Sequence, residues 1–516
     1  MVKINLLKKI SLCCELEMNT SKMKVLIVGG GSAGWMTAAT LQSQFPNYKI
    51  SLIESKNIST VGVGESTLAQ ITDWMRLLKI KDKDFIKHVD GSYKLSIKFT
   101  DFYKKGEFFH YPFGSPAVAQ SRAGTNDWWF KKIVNPETPY SDYADCTYPL
   151  QMAYVNQNKF DIDQVVRAYH FDATKFGLWL KNNYCKKIKH ILDDVVSVEQ
   201  DENGIKSLNN KYSADLYIDC TGFKSLLLGD NLKEPFESYS DMLPNDSAWA
   251  TRIQYKDKEK ELVPYTNCTA IENGWVWNIP LWSRIGTGYV YSSKFVDDET
   301  ALKQFKKHLR QEDLDFKKIK MRVGIHNRLW VKNVVAIGLS AGFIEPLESN
   351  GLFSVHEFLI KLVRNLQREK ISQWDRDNFN YQCKQMFKVF AEFVALHYAL
   401  SHRDDTEYWK SCLNKSWENK LITLEGADYK GFKDAVQRRS HDFRFDDHTG
   451  LQAIAAGMHW GPTDMQSLIL HGRYNEKNIE KEFEQCINSL NDRKNTCNQI
   501  VKNSPSLFKV LKNVHK

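Results

Sequence analysis

Gly29, Gly31 and Gly34 form a Gly-x-Gly-x-x-Gly run between a buried apolar stretch, residues 24–28, and a stretch of helical spacing that begins at Trp35. Glycines at that spacing permit a tight turn and let the backbone approach a bulky polyanion. The helix beyond them, reached through Ser32 and Ala33, offers free N–H groups and a partial positive charge to a pyrophosphate. Residues 48–54 read as a second strand that ends at Glu54, twenty residues after Gly34. A carboxylate there can accept hydrogen bonds from ribose hydroxyls. A lone glycine run is weak evidence, but strand, turn, helix, strand and acid in this order predict dinucleotide binding.

Three later stretches favour FAD over NAD(P). Gly62 to Thr67 is a second glycine-rich loop, with Gly64, Glu65 and Ser66 as candidate contacts. Asp219-Cys220-Thr221-Gly222 closes a late buried strand, and Ile337-Gly338-Leu339 closes another. Each alone is an ordinary strand-end turn. Their order along the chain matches that of two-sheet flavoproteins.

Two further patterns are more specific. Trp275-Val276-Trp277-Asn278-Ile279-Pro280 is a W-x-W-x-I-P hexapeptide, and Phe343 to Gly351 reads F-x-x-P-x-x-S-x-G. With them stand Gly91-Ser92-Tyr93-Lys94-Leu95, LPNDSAWAT at 243–251, IGTGYVYSS at 285–293 and SPSLFKVL at 504–511. Together these stretches resemble the flavin-dependent halogenase family, closest to its tryptophan halogenase branch. The resemblance runs from Met23 almost to the C-terminus.

The resemblance implies an oxidoreductase chemistry. Reduced FAD and dioxygen give a flavin hydroperoxide, and a halide attacks it to form hypohalous acid. Lys94 and Glu348 then direct electrophilic halogenation of an indole or other electron-rich aromatic. Lys94 would act as an ammonium that hydrogen-bonds the oxidant or as a neutral amine that forms a haloamine, and either role needs a partly buried lysine of tuned pKa. Glu348 would orient the halogenating species, stabilise the cationic ring or take its proton. Read without the resemblance, a lone lysine in a strand is a surface residue and a glutamate before a helix is a cap. The halide would sit against the backbone of Asn350 and Gly351, where a helix opens. The family usually has Thr at the position of Asn350, and this departure is expected to alter halide preference towards bromide or iodide. Trp275 and Trp277 share a strand face, and they either keep organic substrate from the flavin or simply pack a core. The rival reading is an aromatic flavin monooxygenase, which shares the FAD fold but predicts neither the W-x-W-x-I-P stretch nor the Lys94 and Glu348 pair.

For substrate, His110 and Phe113 in EFFHYPFGS correspond to a histidine and an aromatic that sandwich an indole, with one residue more between them than in the tryptophan halogenases. The Tyr-Tyr, Glu and Phe-Trp cluster that grips free tryptophan is missing from RSHDFRFDDHTGLQAIAAGMHWGP, 439–462. An indole or phenol, or a broad aromatic range, is expected more than free tryptophan. No second dinucleotide motif serves NAD(P)H, so a separate flavin reductase is the expected source of reduced FAD.

The elements that must position these groups predict an α/β chain. It is a two-sheet FAD-binding fold, Rossmann-like and aromatic-hydroxylase-like, with a mainly helical C-terminal substrate region. The expected division is an N-terminal extension over 1–22, an FAD-binding module over 23–360 with substrate-pocket insertions at about 95–165 and 240–300, and helices over 361–516. A hairpin is expected through Asn203-Gly204 and a helix over 168–183. The 516 residues carry a net charge of +9 with basic residues dispersed, which argues against nucleic-acid binding and suits steering of an anionic cofactor. Ten cysteines without a CxxC pair argue against zinc and for reduced thiols in a cytoplasm. No stretch has the apolar length of a membrane span. A homo-oligomer stays open.

Overall fold

The computed structural model describes residues 18–19, 22–57, 64–117, 127–413, 448–461 and 478–516. The expected opening unit is present as the strand Lys24–Val28, the helix Ser32–Gln44 and the strand Lys49–Glu54. Val25 to Val28 are all buried, as befits a strand covered on both faces. Six strands form the first sheet in the order Trp330–Val331, Val334–Ala336, Leu216–Asp219, Lys24–Val28, Lys49–Glu54, Lys189–Leu192. All neighbours are parallel except the edge strand Trp330–Val331. Parallel strands deliver their carboxyl ends to one edge, where such sheets bind ligands. The turns after Val28, Glu54, Asp219 and Ala336 therefore converge.

The second sheet has seven strands, with Gly274–Pro280 between Ile285–Tyr291 and Tyr265–Ile271, and with Ser96–Thr100 and Phe108–Pro112 at one end. A small three-stranded sheet has Ala168–Phe171 at its centre, flanked by Glu65–Ser66 and Ser92–Lys94.

The hairpin Val198–Asp201 and Gly204–Leu208 forms around Asn203 as expected. The helix expected over 168–183 begins only at Ala173. Ala168–Phe171 is a buried strand, and the Asp172 carboxylate accepts from the Lys175 N–H at 3.1 Å to cap the helix Ala173–Tyr184. Two aromatics and a histidine fit a pleated buried surface better than a first helical turn.

The helix Gly351–Leu366 buries Leu352, Val355, Leu359, Leu362 and Leu366. That is one face at helical spacing. It packs on both Ser32–Gln44 and the long helix Gln373–Ala399, which starts from a capping box of Ser372 and Asp375. The helices Glu407–Leu413, His448–Gly457, Ile479–Lys502 and Leu507–Val514 follow. A large apolar core reaches from Met23 to Leu511, and a smaller cluster gathers Val276, Tyr289, Tyr291 and Phe305. The N-terminal extension lies outside the described residues except Met18, Asn19 and Lys22. Among the described residues no helix is long and apolar enough to cross a membrane.

Candidate active site

Lys94 ends the strand Ser92–Lys94 and has no solvent exposure. Its ammonium donates to the Thr67 carbonyl at 2.9 Å and to Ser349 Oγ at 2.8 Å, and it lies 5.0 Å from the centre of the Phe113 ring. Burial lowers its pKa to about 7, against the opposing pull of Glu348 and Cys268. A lysine so tuned changes charge near neutral pH, which a surface lysine does not.

The residues that meet it come from one tight turn. Pro346–Glu348 forms a short 3-10 turn, after which Ser349 takes a left-handed conformation with φ of 57°. A non-glycine residue there is costly and must be held from outside. Glu345 does much of the holding: its carboxylate accepts from Asn245 Nδ2 at 2.9 Å and from the Tyr398 hydroxyl, and its carbonyl accepts from Asn350 Nδ2 at 2.6 Å. Asn245 belongs to LPNDSAWAT, so that stretch serves this turn. Asn350 precedes the helix Gly351–Leu366, whose N-terminus has no side-chain cap and no acid in its first turn. Glu65 stands close by, its Oε2 3.6 Å from the point a β-carbon on Gly351 would occupy. Burial, then the nearby Asp172, raises the Glu65 pKa to about 7.

Glu348 is fully buried and is no helix cap. Its Oε1 lies 2.9 Å from Nε2 of His397, near the end of the long helix. The other ring nitrogen of His397 is 3.0 Å from the Val394 carbonyl. A carbonyl only accepts, so Nδ1 carries a proton. The Glu348 and His397 side chains are buried against each other, and neither has any solvent exposure. Phe99 and Phe393 pack around the imidazole at 4.7 and 5.8 Å.

His110 and Phe113 are not brought together. Phe113 lies beside Lys94, and Tyr111 meets it edge-on at 6.0 Å. His110 occupies the opposite face of its strand from Phe109 and Tyr111. There it shares a hydrogen bond with Ser96 Oγ at 3.0 Å and meets Tyr265 edge-on, and burial, with Lys98, lowers its pKa to about 3. Phe109 and Tyr111 instead face towards the His397 side, against Phe99 and Phe393 respectively.

The family model for tryptophan halogenase matches residues 24–470. The chain belongs to the tryptophan halogenase family. It is 36% identical over 424 residues to the tryptophan 6-halogenase SttH of Streptomyces toxytricini, covering 75% of this chain and 80% of that protein. To the tryptophan 7-halogenase RebH of Lentzea aerocolonigenes it is 34% identical, covering 75% and 78%. The crystal structure of SttH superposes with a TM-score of 0.82 at 30% identity over 95% of this chain and 99% of that one. The VirX1 structure superposes with a TM-score of 0.86 at 37% identity over 95% and 99%. The protein is thus a flavin-dependent halogenase, an oxidoreductase that uses FAD, dioxygen and halide on an aromatic substrate, a reading that fits better than the hydroxylase alternative.

The converging turns of the halogenase suit FAD. Among the described residues, a β-carbon on Gly31 would meet nothing within 4 Å beside the uncapped helix Ser32–Gln44. Gly29 and Gly34 are glycines for another reason: β-carbons there would fall 2.3 Å from the Cys220 carbonyl oxygen and 1.9 Å from the Gly29 carbonyl oxygen. A β-carbon on Gly338, which Leu339 follows, would fall 2.9 Å from that of Ala33, and one on Gly222 would meet nothing within 4 Å among the described residues. Glu54 stands at its strand end, with Oε1 2.6 Å from His190 Nε2. The Ser32 hydroxyl donates to the Ala173 carbonyl, and the Ser66 hydroxyl is engaged with Thr266 and Ser349. The loop residues Gly62 and Val63 lie outside the described residues, as do 439–447 and Pro462 of the substrate-clamp comparison.

Trp275 and Trp277 sit 6.1 Å apart, both buried, with Trp277 lying over Gly288 of the next strand. Sequence reasoning placed Lys94, Glu348 and Ser349 in motifs and missed His397. No local pattern marks His397, since its role depends on where a long helix ends.

Proposed function

We propose that this halogenase spends an oxidised halogen at Lys94 and Glu348 on an indole or phenol that lacks an amino-acid clamp. Bound reduced FAD with dioxygen supplies the two-electron oxidation of halide to hypohalous acid. Asn350 and Gly351 hold the halide against the helix N-terminus, where free N–H groups favour an anion. Lys94 takes the hypohalous acid by a hydrogen bond from its ammonium to the oxygen, which makes hydroxide a better leaving group. Phe113 walls the same space. Carbon attack on the halogen leaves a cationic ring, and the Glu348 carboxylate stabilises it and removes the proton, with His397 sharing that proton. The carrying observation is that Lys94 and Glu348 are both fully buried: burial brings the lysine to about 7 with Glu348 as its largest opposing charge, and Glu348 Oε1 lies 2.9 Å from His397 Nε2.

Free tryptophan is disfavoured by the residues of 439–462, which lack the clamp cluster. A separate flavin reductase supplies the reduced FAD, since the chain carries one dinucleotide motif. The test is incubation of the protein with FAD, NADH, a flavin reductase and a panel of indoles, phenols and tryptophan, with chloride, bromide and iodide supplied separately. Mass spectrometry should find a halogen in indole or phenol products at higher yield than in tryptophan. Tryptophan as the preferred substrate would contradict the substrate assignment.

A further inference from the structure

Six buried side chains from five separate stretches of sequence form one continuous hydrogen-bonded row that starts at Lys94. The lysine donates to Ser349 Oγ at 2.8 Å. Ser349 Oγ is 3.0 Å from Ser66 Oγ, which is 2.7 Å from Thr266 Oγ1. Thr266 Oγ1 is 2.9 Å from Nε2 of His170, whose Nδ1 is 3.4 Å from Ser92 Oγ. Ser92 donates to the carbonyl of Pro280. Lys94, His170 and Ser92 have no exposure at all, and Ser349, Ser66 and Thr266 have 6% or less.

The small sheet explains the alignment. His170 lies on its central strand, directly opposite Ser66 on one side and Ser92 on the other. Lys94 is two residues beyond Ser92 and so shares its face.

The two ends fix the direction of the row. An ammonium only donates, a carbonyl only accepts, and each hydroxyl has one proton. Hence Ser349 donates to Ser66, Ser66 to Thr266, and Thr266 to Nε2 of His170. His170 donates from Nδ1 to Ser92, and Ser92 donates to Pro280. With His170 neutral, reversing one link would oppose two donors or two acceptors at direct hydrogen-bonding distance. The assignment has His170 neutral with its proton on Nδ1. Burial, then the charge of Lys94, keeps its pKa well below the ordinary histidine value.

We propose that His170 and Thr266 are positioning residues for halogenation: they impose one direction on this row, keep Ser349 an acceptor towards Lys94, and so aim the free face of the lysine nitrogen at the oxidised halogen. The inference rests on the role proposed for Lys94. It gives the W-x-W-x-I-P stretch a use apart from its tryptophans, since the Pro280 carbonyl is the fixed end of the row. The loop carrying Ser66 and the turn carrying Ser349 are joined to it by the same bonds.

Thr266→Val preserves side-chain shape and removes the hydroxyl that links the two halves of the row. Thr266→Ser keeps the hydroxyl. Each variant is assayed with FAD, reductase, NADH, bromide and indole, counting brominated indole and scavenger-trapped hypobromous acid per flavin oxidised. Thr266→Val should lower brominated indole about tenfold or more, raise trapped oxidant and leave flavin oxidation unchanged. Thr266→Ser should recover most of the yield. A Thr266→Val enzyme as productive as the parent, or a loss not rescued by serine, overturns the proposal. Nitrogen NMR of histidine-labelled protein reads the row without turnover and with the parent chain alone. It should show His170 neutral with its proton on Nδ1 at neutral pH, and a proton on Nε2 overturns the direction assigned here. Lys94→Met separates the two readings. If it brominates like the parent, the role of Lys94 itself is wrong. If it is inactive while Thr266→Val is unaffected, only the row is wrong.

Discussion

His397 Nε2 lies 2.9 Å from Glu348 Oε1 while its Nδ1 is committed to the Val394 carbonyl. Both groups are fully buried. His397→Phe removes the partner and leaves the acid buried. Leaving one member of such a pair costs about 3–5 kcal/mol, so thermal unfolding should shift down clearly. Halogenation should fall about 100-fold, the lower range for loss of positioned acid–base help, with flavin oxidation unaffected. Parent-like kcat in a folded His397→Phe enzyme would show that Glu348 works alone.

The lysine gives a stability prediction with a definite sign. Its folded pKa of about 7 lies below the ordinary 10.5. Between those values the unfolded chain binds the extra proton, so stability rises with pH there, and below about 7 the whole cost of burying the charge is present. Lys94→Met has no such dependence. Its stability relative to the parent should therefore decline by about 1.4 kcal/mol per pH unit above about pH 7. Denaturant titrations at several pH values measure this, and a difference that stays flat would place an ordinary lysine at the site.

Activity carries a second sign. The ammonium can serve Thr67, Ser349 and the oxidised halogen together, so halogenated product per flavin should fall as pH rises through about 7. A yield that climbs over that range would assign the neutral amine and a haloamine in its place.

Much of this was readable from local spacing. The glycine turn, Glu54 and the parallel strands follow from patterns within some thirty residues, and Lys94, Glu348 and Ser349 lie in short motifs. Two things were not readable. Ala168–Phe171 resembles a helix start until the sheet that needs it is known, because Ser66 and Ser92, its partners, are 104 and 78 residues earlier in the chain. His397 and Thr266 act only through contacts with segments far away in sequence, and no periodicity marks such residues. His110 looked like an aromatic's partner by spacing. Strand alternation sends it to the face away from Phe109 and Tyr111.

Two glycines of one motif should respond differently. Gly34→Ala puts a methyl 1.9 Å from the Gly29 carbonyl oxygen and should prevent folding of the first unit. Gly31→Ala meets no atom of the described residues within 4 Å, so the protein should melt as the parent does yet bind FAD about tenfold more weakly, as expected where backbone must approach pyrophosphate. Fluorescence titration of FAD decides. Equal affinity for Gly31→Ala would move the pyrophosphate elsewhere.

Asn350→Thr removes the bond to the Glu345 carbonyl and changes the side chain beside Gly351. The KM for halide should change, and differently for chloride, bromide and iodide, while the KM for the aromatic holds. Identical halide KM values in parent and variant would put the anion away from this helix N-terminus.

The decisive measurement is a single turnover of Lys94→Met with reduced FAD, dioxygen, bromide, an aromatic and a trap for hypobromous acid. Capture by the lysine predicts flavin oxidation at the parent rate, oxidant recovered in the trap and almost no brominated aromatic. Brominated aromatic in the parent's yield would contradict it.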